Sequence, residues 1–274
     1  MAHGRAEIGF ARRHGATRLA HLYQRDPLRV LFPARAADEI PTAVLVTTSG
    51  GLVAGDRLDI AVRLGPGAMG HITASAAEKV YRSTGAPIAV AQTLGVEAGG
   101  WLEFLPPETI LFDRARLHRE TRVSLADGAG FLGGDILVFG RHARGECLTA
   151  GLLREVWEIR REGALIWGDA LHVGEDVAAI MTDPACFSGA EACATLILVL
   201  PAGNARQFLD MARQLQSHAY GAGLRVGATA IGEVLIARWL GPAISVRRAY
   251  AELACHLRAA AMGLPPRLPR LWHV

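Results

Sequence analysis

Leu64-Gly65-Pro66-Gly67-Ala68-Met69 recurs in outline as Val96-Glu97-Ala98-Gly99-Gly100-Trp101, and again as Leu125-Ala126-Asp127-Gly128-Ala129-Gly130-Phe131. Each copy links an alternating apolar–polar segment to a second apolar segment through a tight glycine turn. Before the first turn, Leu58-Asp59-Ile60-Ala61-Val62-Arg63-Leu64 alternates with period two. Before the third, Leu117, Thr121, Val123 and Leu125 alternate with His118, Glu120, Arg122 and Ser124. Period-two alternation marks a half-buried strand. Strand–turn–strand units at a spacing of roughly thirty residues predict stacked β layers, as in a β-solenoid or irregular β-helix. A run of hairpins in a sandwich is the alternative that the repeat leaves open.

Further strands are predicted at Thr17–Gln24, Ala43–Thr48, Ile88–Val96, Phe131–Phe139, Leu152–Arg160 and Ala164–Val173. Two helices follow. Asn204 caps one over Ala205–Tyr220, closed by Gly221 and Gly223; Ser245 caps the other over Val246–Met262, closed by Gly263 and Pro265-Pro266. A strand pair, Leu224–Ala230 and Glu233–Leu240, lies between them. The expected fold class is mainly β: a stacked-layer body over about residues 1–200 and a helix-containing part over about 201–274, without a linker, in one domain spanning 1–274.

The 274 residues are 51% hydrophobic and 20% charged, enough for a large core. The net charge is +3, and Lys79 is the only lysine among many arginines. Basic residues interleave with acids, as in Arg154, Glu155, Glu158, Arg160, Arg161 and Glu162, without an aromatic–basic platform, which argues against nucleic acid. The first twenty residues lack an apolar core segment, and Ala194–Pro201, the longest apolar run, is too short to span a bilayer. Cys147, Cys186, Cys193 and Cys255 form no CxxC pair. These features predict a cytoplasmic protein with reduced thiols and no membrane contact.

The loop Ser49-Gly50-Gly51-Leu52-Val53-Ala54-Gly55-Asp56 lacks both GxGxxG and a terminal GK[ST], and it leads into a strand rather than a helix. It therefore reads as a glycine turn, with Asp56 bonding nearby amides, rather than a phosphate loop. Ser75 and Lys79 are one residue too far apart for SxxK chemistry. His142 and Cys147 are close enough in sequence to meet as metal ligands or to be plain loop residues. In Trp101–Asp113, WLEFLPPETILFD, acids stand inside an apolar strand broken by Pro106-Pro107. Buried bare, each would cost several kcal/mol, so they must be paired, solvated, metal-bound or covered. Asp56, Glu103, Glu108, Asp135, Glu146 and Asp169 all fall near predicted strand ends. Such a set suits acid–base work, a loosely held divalent cation, or an edge paired with arginines.

These segments, taken in order, resemble the urease accessory proteins of the UreD (UreH) family. The resemblance rests on Gly15–Leu19, Pro27–Pro33, Ser49–Leu58, Glu78–Ser83 (EKVYRS), Leu102–Asp113, Asp135–Glu146 (DILVFGRHARGE) and Leu268–Trp272. It spans nearly the whole chain, although Ser49, Glu78, Pro107 and Asp135 depart from the usual family residues. The resemblance implies an irregular β-helical fold with C-terminal helices and a non-enzymatic maturation chaperone. Its implied partners are urease apoprotein, a UreF-like protein and, through the complex, a UreG-like GTPase. It implies nickel as transient cargo and no tightly bound cofactor. On this reading Asp56, Glu103, Glu108 and Asp135 are the expected lining of a nickel passage. Lys79, Arg82, Glu146 and Asp169 form a polar network or interface, and the C-terminal helices and tail contact the UreF-like partner. The competing readings are a β-helical enzyme using Glu103 and Glu108 as an acid–base pair, disfavoured by an aromatic content of 6%, and a structural scaffold without a metal role.

Overall fold

The computed structural model describes residues 1–216 and 223–273. In chain order the strands are β1 (His3–Arg13), β2 (Ala16–Arg25), β3 (Leu28–Leu31), β4 (Thr42–Thr47), β5 (Arg57–Leu64), β6 (Met69–Ala74), β7 (Glu78–Val80), β8 (Ile88–Val96), β9 (Trp101–Phe104), β10 (Thr109–Leu111), β11 (Arg116–Leu125), β12 (Gly130–Phe139), β13 (Leu152–Arg161) and β14 (Ala164–Val173). They are followed by α1 (Val177–Thr182), β15 (Ala192–Val199), α2 (Leu209–Gln216), β16 (Arg225–Ile231), β17 (Val234–Gly241) and α3 (Ala243–Met262).

The three glycine repeats are the corners of a stacked coil. Each sends the chain from one sheet to the other: β5 to β6, β8 to β9 and β11 to β12. In the first sheet β5, β8, β11 and β13 lie side by side and parallel. In the second, β4, β6, β9 and β12 do the same. Parallel neighbours separated by a whole coil distinguish this arrangement from a run of hairpins, which would pair consecutive strands antiparallel. The corners also stack on one another. Gly67 N–H donates to the Ala98 carbonyl at 2.9 Å, and Ala126 N–H to the Val96 carbonyl at 2.9 Å. Gly67, Gly99 and Gly128 have φ of 63°, 67° and 66°. The same left-handed residue, which favours glycine, recurs in every layer. Short β7 and β10 pair in parallel and form a third side, with β10 also pairing β12.

Antiparallel pieces close both ends: β2 on β1, β3 on β4, and β14 on β13. The second sheet continues past residue 200 through β15, β17 and β16. Two apolar layers result. One lies between the sheets, built from side chains such as Ile8, Val62, Leu94, Phe104 and Phe131. The other lies between the outer face of the second sheet and α3, which contributes Val246, Tyr250, Leu253 and Leu257. Each such buried side chain contributes about 1.5–3 kcal/mol.

The helices differ in detail from the sequence reading. Asn204 does cap, accepting from Arg206 N–H at 2.8 Å, but Ala205–Phe208 is a tight 3-10 turn ahead of α2. The expected end of that helix at Tyr220 and Gly221 lies outside the described residues. The last helix starts at Ala243, not after Ser245. Pro242 precedes it, and Glu191, distant in sequence, accepts from Ala243 N–H at 3.0 Å. A side chain from another element thus satisfies an amide of the first turn, which local capping rules do not reveal. Gly263 ends the helix at φ 63°, as expected.

The tail is part of the fold. Trp272 is buried, stacks on Tyr250 and donates its indole N–H to the Leu105 carbonyl at 3.2 Å. Arg258 Nη1 donates to the Pro265 and Arg267 carbonyls, each at 2.6 Å. The tail expected to contact a UreF-like partner therefore seats α3 against the second sheet. Trp272→Ala is expected to lower stability by about 3–5 kcal/mol, read as the shift of the chemical denaturation midpoint. A loss under about 1 kcal/mol, within the range of ordinary surface substitutions, would contradict this role.

Candidate functional site

The inner face of the first sheet is apolar at its corners and polar at mid-height. Parallel register sets Arg119 beside Val90 and Glu155, and Thr121 beside Gln92 and Trp157. The phase that points Leu117, Val123 and Leu125 into the core also points Arg119 and Thr121 there. From the second sheet, Asp135 faces the same level, with Thr195 and then Arg238 beside it in register. Glycine lets this part of β12 approach β15, since a Cβ at Gly134 would lie 1.9 Å from the Thr195 carbonyl oxygen.

Arg119 is the centre of the site. Its Nε donates to Glu155 Oε1 and Oε2 at 2.9 and 2.7 Å, its Nη2 to Asp135 Oδ2 at 2.9 Å, and its Nη1 to Thr109 Oγ1 at 2.9 Å. All four side chains are buried. Burial opposes the arginine charge, but Glu155 and Asp135 outweigh it and hold its pKa above the ordinary arginine value. Burial pushes the carboxyls the other way: Asp135 is raised, and Glu155 is raised to about 8. One guanidinium facing two desolvated carboxyls favours retaining a proton on the acid pair.

Two cavities flank this cluster. One of about 180 Å³ is lined by Thr47, Glu78, Lys79, Gln92, Thr109 and Arg119. The Thr47 hydroxyl donates to Glu78, whose carboxyl is raised by burial. Exposed Lys79 and Ser75 stand at its rim. The other, of about 390 Å³, is lined by Asp135, Glu155, Trp157, Asp169, Arg225 and Arg238. Asp169 accepts from Arg238 at 2.5 Å at its outer side. Cys193 borders this cavity, and burial pushes its thiol far up, toward the neutral form. The polar seam offers carboxylate and hydroxyl oxygens, the donor type of loosely held divalent cations, but its acids form no group of three candidate ligands among the described residues.

A family model for UreD urease accessory proteins matches residues 2–273. The chain belongs to the UreD family. It is 44% identical over 274 residues to the urease accessory protein UreD of Magnetococcus marinus, covering 99% of this chain and 94% of that one. It is 41% identical over 258 residues to UreD 2 of Methylorubrum populi, covering 94% and 84%. It is 38% identical over 271 residues to UreD of Mesorhizobium japonicum, covering 99% and 94%. Membership in the UreD family carries a role in urease maturation, and these relatives are named as accessory proteins rather than enzymes. Among the described residues no helix is long and apolar enough to cross a membrane.

The structure separates the four acids expected to line one passage. Only Asp135 stands in the seam. Asp56 accepts from Ala2 N–H at 2.7 Å and Val53 N–H at 3.0 Å, tying β1 to the glycine turn. Glu103 is fully buried and accepts from Arg258 Nε at 3.1 Å and from the Trp101 indole at 3.2 Å, with His71 Nδ1 at 2.7 Å. Burial would raise it, but His71 and Arg258 together hold its carboxyl below the usual range. Glu108 accepts from Arg247 Nη1 at 3.0 Å. Arg247 and Arg258 both belong to α3, so Glu103 and Glu108 seat that helix.

Of the second group, Asp169 and Lys79 border the two cavities. Arg82 is exposed, and its backbone bridges Ala115. Glu146 pairs with Arg141 and accepts from Asp113 N–H at 3.2 Å, fixing the loop after β12. His142 Nδ1 and Cys147 Sγ do meet, at 3.9 Å, but no group of three or more candidate metal ligands occurs among the described residues. Arg119, Glu155 and Thr109 were not singled out by sequence. The available signal was phase: Arg119 between Leu117 and Thr121, and Glu155 between Leu153 and Trp157, are charges in the inward register.

Glu155 gives the site a pH signature. Its folded value near 8 lies above the ordinary 4.5. Its contribution to stability is thus fully present below the unfolded value and lost as pH rises through the folded one. Wild-type stability is expected to fall from about pH 5 to about pH 8, and Glu155→Gln to flatten that fall, measured by urea denaturation across the range. An unchanged slope in the variant would contradict a proton held at this position.

Proposed function

We propose that this chain is a maturation chaperone that binds apo-urease and, with UreF-like and UreG-like proteins, conducts nickel through its β body to the urease active site. The observation supporting this reading is the polar seam: carboxyls of Glu78, Asp135 and Glu155 cross an otherwise apolar sandwich and adjoin a cavity on either side. Charged groups are expensive in such a place. A fold needing only rigidity would be served as well by apolar side chains of similar volume. The Asp135 and Glu155 carboxylates serve as weak, exchangeable oxygen ligands. A site closed by thiolates and imidazoles would retain a borderline ion such as nickel instead of passing it on.

The chain works without turnover of its own on this reading. Any nucleotide hydrolysis belongs to the GTPase partner, in keeping with a Ser49–Asp56 loop that forms a turn against β7 rather than a phosphate cradle. The chain acts in the cytoplasm, where apo-urease is assembled.

Urease activation in cells carrying substitutions in the chain tests the proposal. Asp135→Asn and Glu155→Gln are expected to lower activation at least about tenfold, the effect of losing roughly 1.4 kcal/mol, while the chain still co-purifies with urease. Asp56→Asn should act only through the amount of folded chain. Normal activation by both seam variants would overturn the passage.

A further inference from the structure

Arg119 occupies the place that a cation crossing the seam must take. Its guanidinium is bonded to Asp135 and Glu155 at once, and it also lines the cavity that holds Glu78. A divalent ion seated between Asp135 and Glu155 would neutralise both carboxylates and leave Arg119 buried without a counter-charge. Removing the partner of a buried charge is strongly unfavourable unless a new one is within reach. Glu78 and Arg119 line the same cavity, and the Glu78 carboxyl, raised by burial, is lowered in turn by the Arg119 charge, so the two groups act on each other across that space.

We propose that Arg119 is an internal gate with two positions: bound to Asp135 and Glu155 when the seam is empty, and turned toward Glu78 when a divalent metal ion passes. The gate deepens the passage reading and rests on it. The guanidinium holds the two carboxylates in register and keeps them neutralised between ions. By competing with the metal, it also keeps each ion's stay short. In the turned position Glu78 receives the charge that the metal has displaced. The device is bistable because both positions pair the same buried cation, so neither carries the cost of an unpaired charge.

The test uses the full-length chain with nickel(II) alone as probe, together with urease activation in cells. Arg119→Met removes the competitor and is expected to retain nickel at least tenfold more tightly by equilibrium dialysis, yet to lower urease activation, because the ion no longer leaves. Glu78→Gln keeps every bond that Arg119 makes in the empty seam, so the fold is preserved even if Arg119→Met does not fold. It is expected to lower both activation and nickel retention, because Arg119 then has no counter-charge whenever an ion is seated.

In the double variant, Glu78→Gln should add nothing to Arg119→Met, since Glu78 acts only by receiving Arg119; additive losses would make Glu78 an independent ligand and overturn the gate. A folded Arg119→Met chain that binds nickel no more tightly than wild type, or a Glu78→Gln chain with full activation, would also overturn it. If Asp135→Asn and Glu155→Gln still abolish activation in that event, the passage stands and only the gate fails. Full activation by those two variants would instead remove the passage itself.

Discussion

A single guanidinium held between two carboxyls inside a β sandwich is the contact on which the site depends. Arg119 comes from β11 of one sheet, Glu155 from the neighbouring β13, and Asp135 from β12 of the opposite sheet. The bonds between them tie the sheets together where apolar packing is interrupted. They also set the electrostatics on both sides, because each cavity is lined by a member of the trio. Parallel stacking makes the contact possible. In a coil with the same register in every layer, side chains at one height of successive strands form a line, so a few polar substitutions create a continuous seam.

The second charged cluster plays a different part. Glu103, His71 and Arg258 lie between the second sheet and α3, with Glu39 joining at 2.9 Å from Arg258 Nη2. The Arg258 donors are directed at carboxylates and tail carbonyls and His71 Nδ1 faces Glu103, while His71 Nε2 is buried without a partner; Glu103 is held ionised. Its geometry is closed, which suits fixing a helix. The Arg119 cluster lies between open spaces, and its carboxyls are pushed toward the protonated form. On the proposed reading, the two buried acid–arginine clusters divide between support and transport, and the space around them separates the roles.

Much of the fold was legible in sequence because the corners are glycine-dependent and recur at nearly constant spacing. Alternation and apolar runs bounded by glycine, proline and aspartate placed most of the long strands to within a residue or two, but β1, the longest, and β15 were not anticipated. The start of α3 was not legible, since Glu191, in the bend before β15 and distant in sequence, satisfies an amide of its first turn. The site was read less well. Trp101–Asp113 drew attention because acids stand there among apolar residues, yet Glu103 and Glu108 are neutralised by Arg258 and Arg247 more than a hundred residues away in the chain. Local composition cannot show such a partner. Asp135 was singled out because it is a carboxylate near a predicted strand end that opens the DILVFG segment. Arg119 and Glu155 were passed over because the surrounding strands carry so many outward charges that two inward ones do not stand out without the register.

The central claim is that a metal ion visits the space between Asp135 and Glu155. Crystals of the full-length Arg119→Met chain soaked in nickel(II), with anomalous scattering recorded at the nickel edge, test it most directly. The account predicts an anomalous peak between those two carboxylates, within about 2.0–2.6 Å of their oxygens, the range for divalent ions on oxygen ligands. Peaks confined to surface histidines and the His142–Cys147 loop, with the seam empty, would contradict it.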